Sequence, residues 1–140
     1  MKPSLGLLAT MALTGCVTSQ IPPEFATPVP AERLYGYGQK VSVDDATIIV
    51  IGDRGLYGSG CGLVVRIDGQ RGAMLNAGEI STLYASDGEH LINVDVSGEG
   101  LCAGMSDKVI EVNLQPSQGR VYRVSADQTG FQISPYVLSQ

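Results

Sequence analysis

Three cysteines, one histidine and 14 acidic side chains are the groups in this 140-residue chain that could do covalent, acid–base or metal chemistry. The thiols stand at Cys16, Cys61 and Cys102 and the imidazole at His90. A tetrahedral metal site needs about four ligands at short spacings; two distant cysteines and His90 do not provide them. His90 follows Glu89 and titrates in the range of a general base. It also starts a strand directly after Asp87-Gly88, where a solvated histidine is the expectation. Asp44-Asp45 and Asp87/Glu89 are carboxylate pairs on turns, and neighbours on a turn seldom face one substrate as an acid–base couple must. Gly58-Ser59-Gly60 is not a Gly-x-Ser-x-Gly elbow. The glycine-rich run from Gly52 to Gly62 lacks the Gly-Lys-Ser/Thr ending of a phosphate loop, and no helix follows to offer its N-terminus. It reads instead as a loop entering a strand, with Arg54, Leu56 and Tyr57 at its tip as candidate partner contacts. The expectation is a protein that is not an enzyme, with no cofactor and no metal site.

Composition narrows the classes further. Length allows one ordinary domain. Eighteen glycines and 16% charged residues disfavour a coiled coil. A net charge of −5 gives no clustered basic footprint for nucleic acid. The absence of tryptophan and 6% aromatic content disfavour a glycan or small-molecule binder.

The N-terminus carries an address. Lys2 precedes an apolar run, Leu5 to Leu13, that is too short for a bilayer span of about 20 residues and has the length of a secretory signal core. It ends in Leu13-Thr14-Gly15-Cys16, which resembles the bacterial lipobox. The resemblance implies removal of residues 1–15 and diacylglyceryl transfer to the Cys16 thiol. Several acyl chains at one cysteine anchor stably, since each buried CH₂ contributes about 0.8 kcal/mol. Val17, rather than aspartate, follows the anchor, and by resemblance to the enteric sorting rule this favours the outer membrane, facing the periplasm. With Cys16 assigned to lipid, Cys61 and Cys102 remain as an even pair in an oxidising compartment. A disulfide between them is expected; it would close a loop of roughly 40 residues and restrict the unfolded chain by about 4 kcal/mol. The competing reading is a catalytic thiol, which the compartment disfavours.

Residues 16–30 read as a lipid-anchored tether. Val17 to Pro30 holds Pro22, Pro23, Pro28 and Pro30, which favour extended polyproline-II geometry and a reach of roughly 40 Å. Residues 31–140 read as one β domain. Tyr35 and Tyr37, on one face of an extended Leu34 to Gly38, are expected in the core of a first strand. The period is then two: Ala46 to Ile51, Gly62 to Asp68 with Leu63, Val65 and Ile67 on one face, Ser81 to Ala85, His90 to Val96 with Leu91 apart from Ile92, Val94 and Val96, Val109 to Leu114, Arg120 to Ser125 and Phe131 to Ile133. Turns at Asp68-Gly69, Asp87-Gly88, Gly98 to Gly100 and Pro116 to Gly119 separate them. The pattern predicts an all-β fold, a single small antiparallel β-sandwich stapled by one disulfide.

Val64 to Asn76 (VVRIDGQRGAMLN), the Leu75 and Gly78 pair, the strand before Asp53-Arg54, Gly88-Glu89-His90-Leu91 and Gly119-Arg120-Val121-Tyr122 resemble a family of small bacterial lipoproteins and exported proteins. That family carries a domain of unknown function similar to PEGA-type β-sandwich modules. Where the family has a Pro-Gly turn, this chain has Asp87-Gly88. The resemblance implies an envelope β domain without catalytic residues. The expected function is therefore a membrane-anchored, non-enzymatic protein-binding or assembly factor of the bacterial envelope. The competing class is an inhibitor or phage-exclusion lipoprotein that blocks a periplasmic hydrolase or an incoming phage component. One version, the membrane-bound lysozyme inhibitor, loses weight because Ser97-Gly98-Glu99-Gly100-Leu101 ends in leucine instead of tyrosine.

Overall fold

The computed structural model describes residues 18–55, 62–97, 107–127 and 130–138. Cys16, Leu56, Tyr57, Cys61 and Cys102 lie outside the described residues, and with them the expected lipid site, the expected disulfide and two of the three expected contact residues.

The fold is all-β. Strands β1 (Thr27–Pro28), β2 (Ala46–Gly52), β5 (Glu79–Ala85), β8 (Gly119–Asp127) and β9 (Gly130–Pro135) form one sheet in the order β1-β5-β2-β8-β9. Strands β3 (Gly62–Ile67), β4 (Gln70–Leu75), β6 (Gly88–Ser97) and β7 (Lys108–Leu114) form the other, in the order β4-β3-β6-β7. Helical geometry among the described residues is confined to two 3₁₀ turns, Pro23–Phe25 and Ala31–Arg33, and no helix there is long and apolar enough to cross a membrane.

Alternation explains the packing. Ile48, Val50, Leu83 and Val124 of the first sheet meet Leu63, Val65, Ile67, Leu75, Ile92 and Leu114 of the second in one buried cluster. In β6, Leu91 is exposed while Ile92 and Val94 are buried, as a period of two requires. The Asp68-Gly69 turn joins β3 to β4 with both residues at positive φ, 50° and 82°. That is the geometry of a two-residue hairpin whose twist matches its strands, and it is why an Asp-Gly pair stands there.

The sheets are not wholly antiparallel. The central pair β2–β8 is parallel, from Thr47↔Gly119 to Gly52↔Val124, as is the short β1–β5 pair. The reason lies where both central strands start. The turn before β8 is bonded to the loop before β2: Ser117 N–H donates to Asp44 O (2.9 Å) and Thr47 N–H to Gln118 O (2.8 Å). Two strands entering from one end run the same way.

The expected tether also needs correction. From Thr18 to Pro30 the chain lies on the domain instead of standing away from it. Ile21 and Val29 are buried, and Thr27–Pro28 adds to the sheet edge beside Glu79–Ile80. Proline is tolerated in that position because an edge strand needs donors on one side only. Two apolar side chains under cover outweigh the preference of a proline-rich segment for free extension. Further on, Arg33 grips Glu79 through two bonds of 2.6 and 2.7 Å, fixing the second 3₁₀ turn over the β4–β5 connection.

Strand β4 broke the sequence pattern. Its register shifts between Val65/Arg66, so Gly72 and Ala73 are buried in succession. A Cβ at Gly72 would sit 2.9 Å from Leu83 Cδ1 and 3.3 Å from Val65 O, which leaves glycine as the residue that fits. The two tyrosines expected in the core divide. Tyr37 packs against it and donates to Ile67 O (3.0 Å). Tyr35 is exposed, with the Arg71 guanidinium 4.7 Å from its ring centre. Its backbone N–H bonds Gly72 O, and Tyr37 has a φ of 59°, so the segment bends before it can continue as a strand.

Candidate functional site

Three constellations stand out, at two ends of the domain. Strand β2 connects the ends. Val41 to Asp45 precedes it and Asp53-Arg54 follows it, so they lie about 25 Å apart.

At the Asp45 end, a loop presents two apolar side chains to solvent. Val41 is 96% exposed and Val43 82%. Their loop is nevertheless fixed. The Asp45 carboxylate accepts from Val41 N–H (2.8 Å) and Ser42 N–H (3.0 Å), and Asp45 N–H returns to Ser42 O. Ser117 Oγ donates to Val43 O (3.0 Å) from the neighbouring turn. The Ser42 and Val41 amides hold the Asp45 carboxyl below its ordinary pKa. Its Oδ2 is committed to two backbone amides, so Asp45 acts as a loop brace.

Beside this end lies His90, in the inward-facing series with Ile92 and Val94. It is not the solvated histidine expected after the turn. Its side chain is only 10% exposed, with Nδ1 2.6 Å from Asp68 Oδ2 and Nε2 2.7 Å from Ser86 O. The Asp68 carboxylate and the Ser86 carbonyl are both acceptors, an arrangement that favours the ring with both nitrogens protonated. Burial alone would lower its pKa; the Asp68 carboxylate and the Ser86 carbonyl outweigh burial and raise it. Asp68 responds in the opposite sense: burial works to raise it, but the Leu91 N–H (2.9 Å) and His90 prevail and lower it. With both ring nitrogens engaged by Asp68 and Ser86, His90 is a strap between the β3–β4 turn and β6. A groove of about 420 Å³ runs alongside, lined in part by Asp68, Glu89, Leu91 and Glu111. It holds no nucleophile with a base. Among the described residues, no group of three or more His, Cys, Asp or Glu side chains could hold a metal ion.

At the opposite end, Asp53 is fully buried and ion-paired with Arg123, whose Nε and Nη2 both reach its carboxylate. Thr18 Oγ1 donates to Asp53 Oδ2 (2.7 Å) and accepts from Ala126 N–H (3.0 Å). Arg123 Nη1 donates to Gln20 Oε1 (3.2 Å), and Gln20 Nε2 to Val137 O (2.8 Å). Arg54, the expected contact residue within the described chain, is exposed and exchanges two backbone bonds of 3.0 Å with Ser19. Strand β3, not a helix, follows the glycine-rich run, so no helix N-terminus is available there for phosphate.

No family model, curated protein or solved structure matches this chain.

Sequence reasoning passed over the two exposed valines and misread His90. The valines carry no local signal, since Val-Ser-Val alternates like a strand. His90 depends on Asp68, which is 22 positions away in the chain. A signal did exist for Asp45: Ser42 followed three residues later by aspartate is a self-bonding turn pattern.

Proposed function

We propose that this chain is a non-enzymatic lipoprotein of the bacterial envelope that binds a protein partner through the Val41–Asp45 loop. The lipid is carried at Cys16, and the location is the outer membrane, facing the periplasm. The observation that carries the binding role is the loop itself: two valines held in solvent by a brace of the buried Asp45 and the exposed Ser117. A free loop would fold such side chains away. A braced one keeps them out at little further entropic cost on binding, which favours a protein contact. Arg54 lies at the end that Ser19 occupies, so we assign the partner contact to the opposite end.

The all-β domain is read as a PEGA-like sandwich whose Cys61 and Cys102 are joined. What supports the disulfide is strand register. Gly62 is paired with Ser97 across β3 and β6, so the segments bearing the two cysteines leave from neighbouring points. The lipid reading rests on the Leu13-Thr14-Gly15-Cys16 resemblance.

The test is in-cell cross-linking of the full-length protein and of a V41S/V43S variant. Wild type should yield a stoichiometric envelope protein that the variant does not, with both chains equally folded and abundant. An empty catch from wild-type cells in resting conditions would move the assignment to an inhibitor or exclusion factor that waits for a foreign target.

A further inference from the structure

We propose that the domain sits directly on the lipid surface by its Thr18–Arg54 end, locked in one orientation, with the Val41–Asp45 loop pointing away from the membrane. This rests on the reading that Cys16 is lipidated. Thr18 is the point of departure. It is buried and bonded to the domain three times: its N–H to Ala126 O (3.1 Å), its hydroxyl to Asp53, and Ala126 N–H back to that hydroxyl. Ser19 is bridged to Arg54 in both directions, Gln20 is held by Arg123 and Val137, and Ile21 is buried. Thr18 is two residues after Cys16. Two residues reach about 7 Å at full extension, about the depth of one headgroup layer. An acylated Cys16 therefore brings this end of the domain into contact with the headgroups.

Topology states what else shares that end. Strands β2 and β8 finish there, β5 starts there, and the Gly62↔Ser97 pair of the second sheet lies on the same side. The consequence is mechanical. The valine loop is held at a fixed height, about 25 Å above the surface, and an incoming partner meets it without a tether search.

Native amines allow a direct test. Once residues 1–15 are removed, the lysines are Lys40 and Lys108. Lys40 lies over the Tyr84 ring at 5.8 Å, and Tyr84 pairs with Thr47 at the far end. Lys108 pairs with Val94, three residues short of Ser97 at the near end. K108R and K40R variants of the full chain, each labelled at the remaining lysine with an amine-reactive fluorophore, are reconstituted in phosphatidylethanolamine/phosphatidylglycerol vesicles containing a nitroxide-headgroup lipid. A K40R/K108R chain gives the background from any free α-amine. Intact mass of the same preparations reads acylation of Cys16. The expected result is an acylated protein whose Lys108 dye is quenched several-fold more than its Lys40 dye. A flexible Gly-Ser insert between Val17 and Thr18 should bring the two toward equality. An acylated protein with equal quenching at both sites, or with a difference unaffected by the insert, overturns the seating alone. A protein without acyl mass overturns the lipoprotein reading and the seating with it.

Discussion

Asp53 and Arg123 are joined as an ion pair that closes the end of the domain, with the carboxylate fully buried and the guanidinium partly in solvent. Thr18 completes the carboxylate's bonding from a segment more than thirty positions earlier in the chain. The pair thus ties the first described residue to the sheet that carries β2 and β8.

Removing the cation leaves a buried carboxylate with the Thr18 hydroxyl bond but no opposite charge. R123M should cost about 3 kcal/mol, the lower part of the range for breaking one side of a buried pair. T18V, which removes the bond to Asp53 and the acceptor of the Ala126 N–H, should cost about 2 kcal/mol. Urea unfolding midpoints at constant slope check both values, and limited proteolysis should cut the N-terminal segment of T18V sooner. An R123M midpoint equal to wild type would mean that the pair is not formed.

His90 supplies a pH dependence that one resonance can follow, because the chain has a single histidine. Its folded pKa is raised from the ordinary 6.5. The linked stability is therefore fully present below about 6.5 and is lost as pH rises through the folded value. Imidazole NMR should show two N–H protons at pH 6 and a midpoint above 6.5. The H90F variant should lose the stability change over that alkaline interval. A midpoint below 6.5 would contradict the double acceptor arrangement.

Asp45 behaves in the opposite sense. Its folded pKa is lowered from the ordinary 3.8, so its contribution is present above that value and is lost as pH falls through the folded one. Hydrogen exchange at the Val41 and Ser42 amides should be slow at neutral pH and faster in D45A. Partner capture should weaken in the same variant while global stability changes little, since the loop adds little to the core. Unchanged exchange in D45A would remove the brace from the account.

Gly72 tests the core at the bulge. G72A must displace Leu83 or the Val65 carbonyl, at a cost of about 1–3 kcal/mol for overpacking. G38A, where nothing lies within 4 Å of the added carbon, should be close to neutral. Thermal or urea unfolding of the two variants separates close approach from a general effect of replacing glycine.

Much of the strand order was legible because a half-buried strand repeats every two residues. Ile92 and Val94 against Leu91, and the Asp68-Gly69 hairpin, follow directly from that period and from turn chemistry. Parallel pairing of β2 with β8 was not legible, since both senses of pairing have the same period. It is decided by bonds between two distant turns, Ser117 to Asp44 and Gln118 to Thr47. Strand β4 was obscured by the shift at Gly72, which places two buried residues in succession. The proline-rich stretch looked like a spacer because its prolines are local signals, whereas the cover over Ile21 and Val29 comes from the folded domain. Tyr35 lost its place in the core for a reason of the same kind, the bend that Gly72 O and Tyr37 impose. At the candidate site, the sequence offered His90 as a group with chemistry. Its pairing to Asp68 and Ser86 turns that group into a strap, while the exposed valines emerged only from three-dimensional bracing.

The most direct test of the binding role places a photoreactive amino acid in the full-length protein in living cells, at Val43 in one strain and at Arg54 in another. Val43 should capture one envelope protein in high yield, whereas Arg54, at the opposite end, should capture lipid and not that protein. Capture of the same protein from Arg54 with none from Val43 would contradict that role.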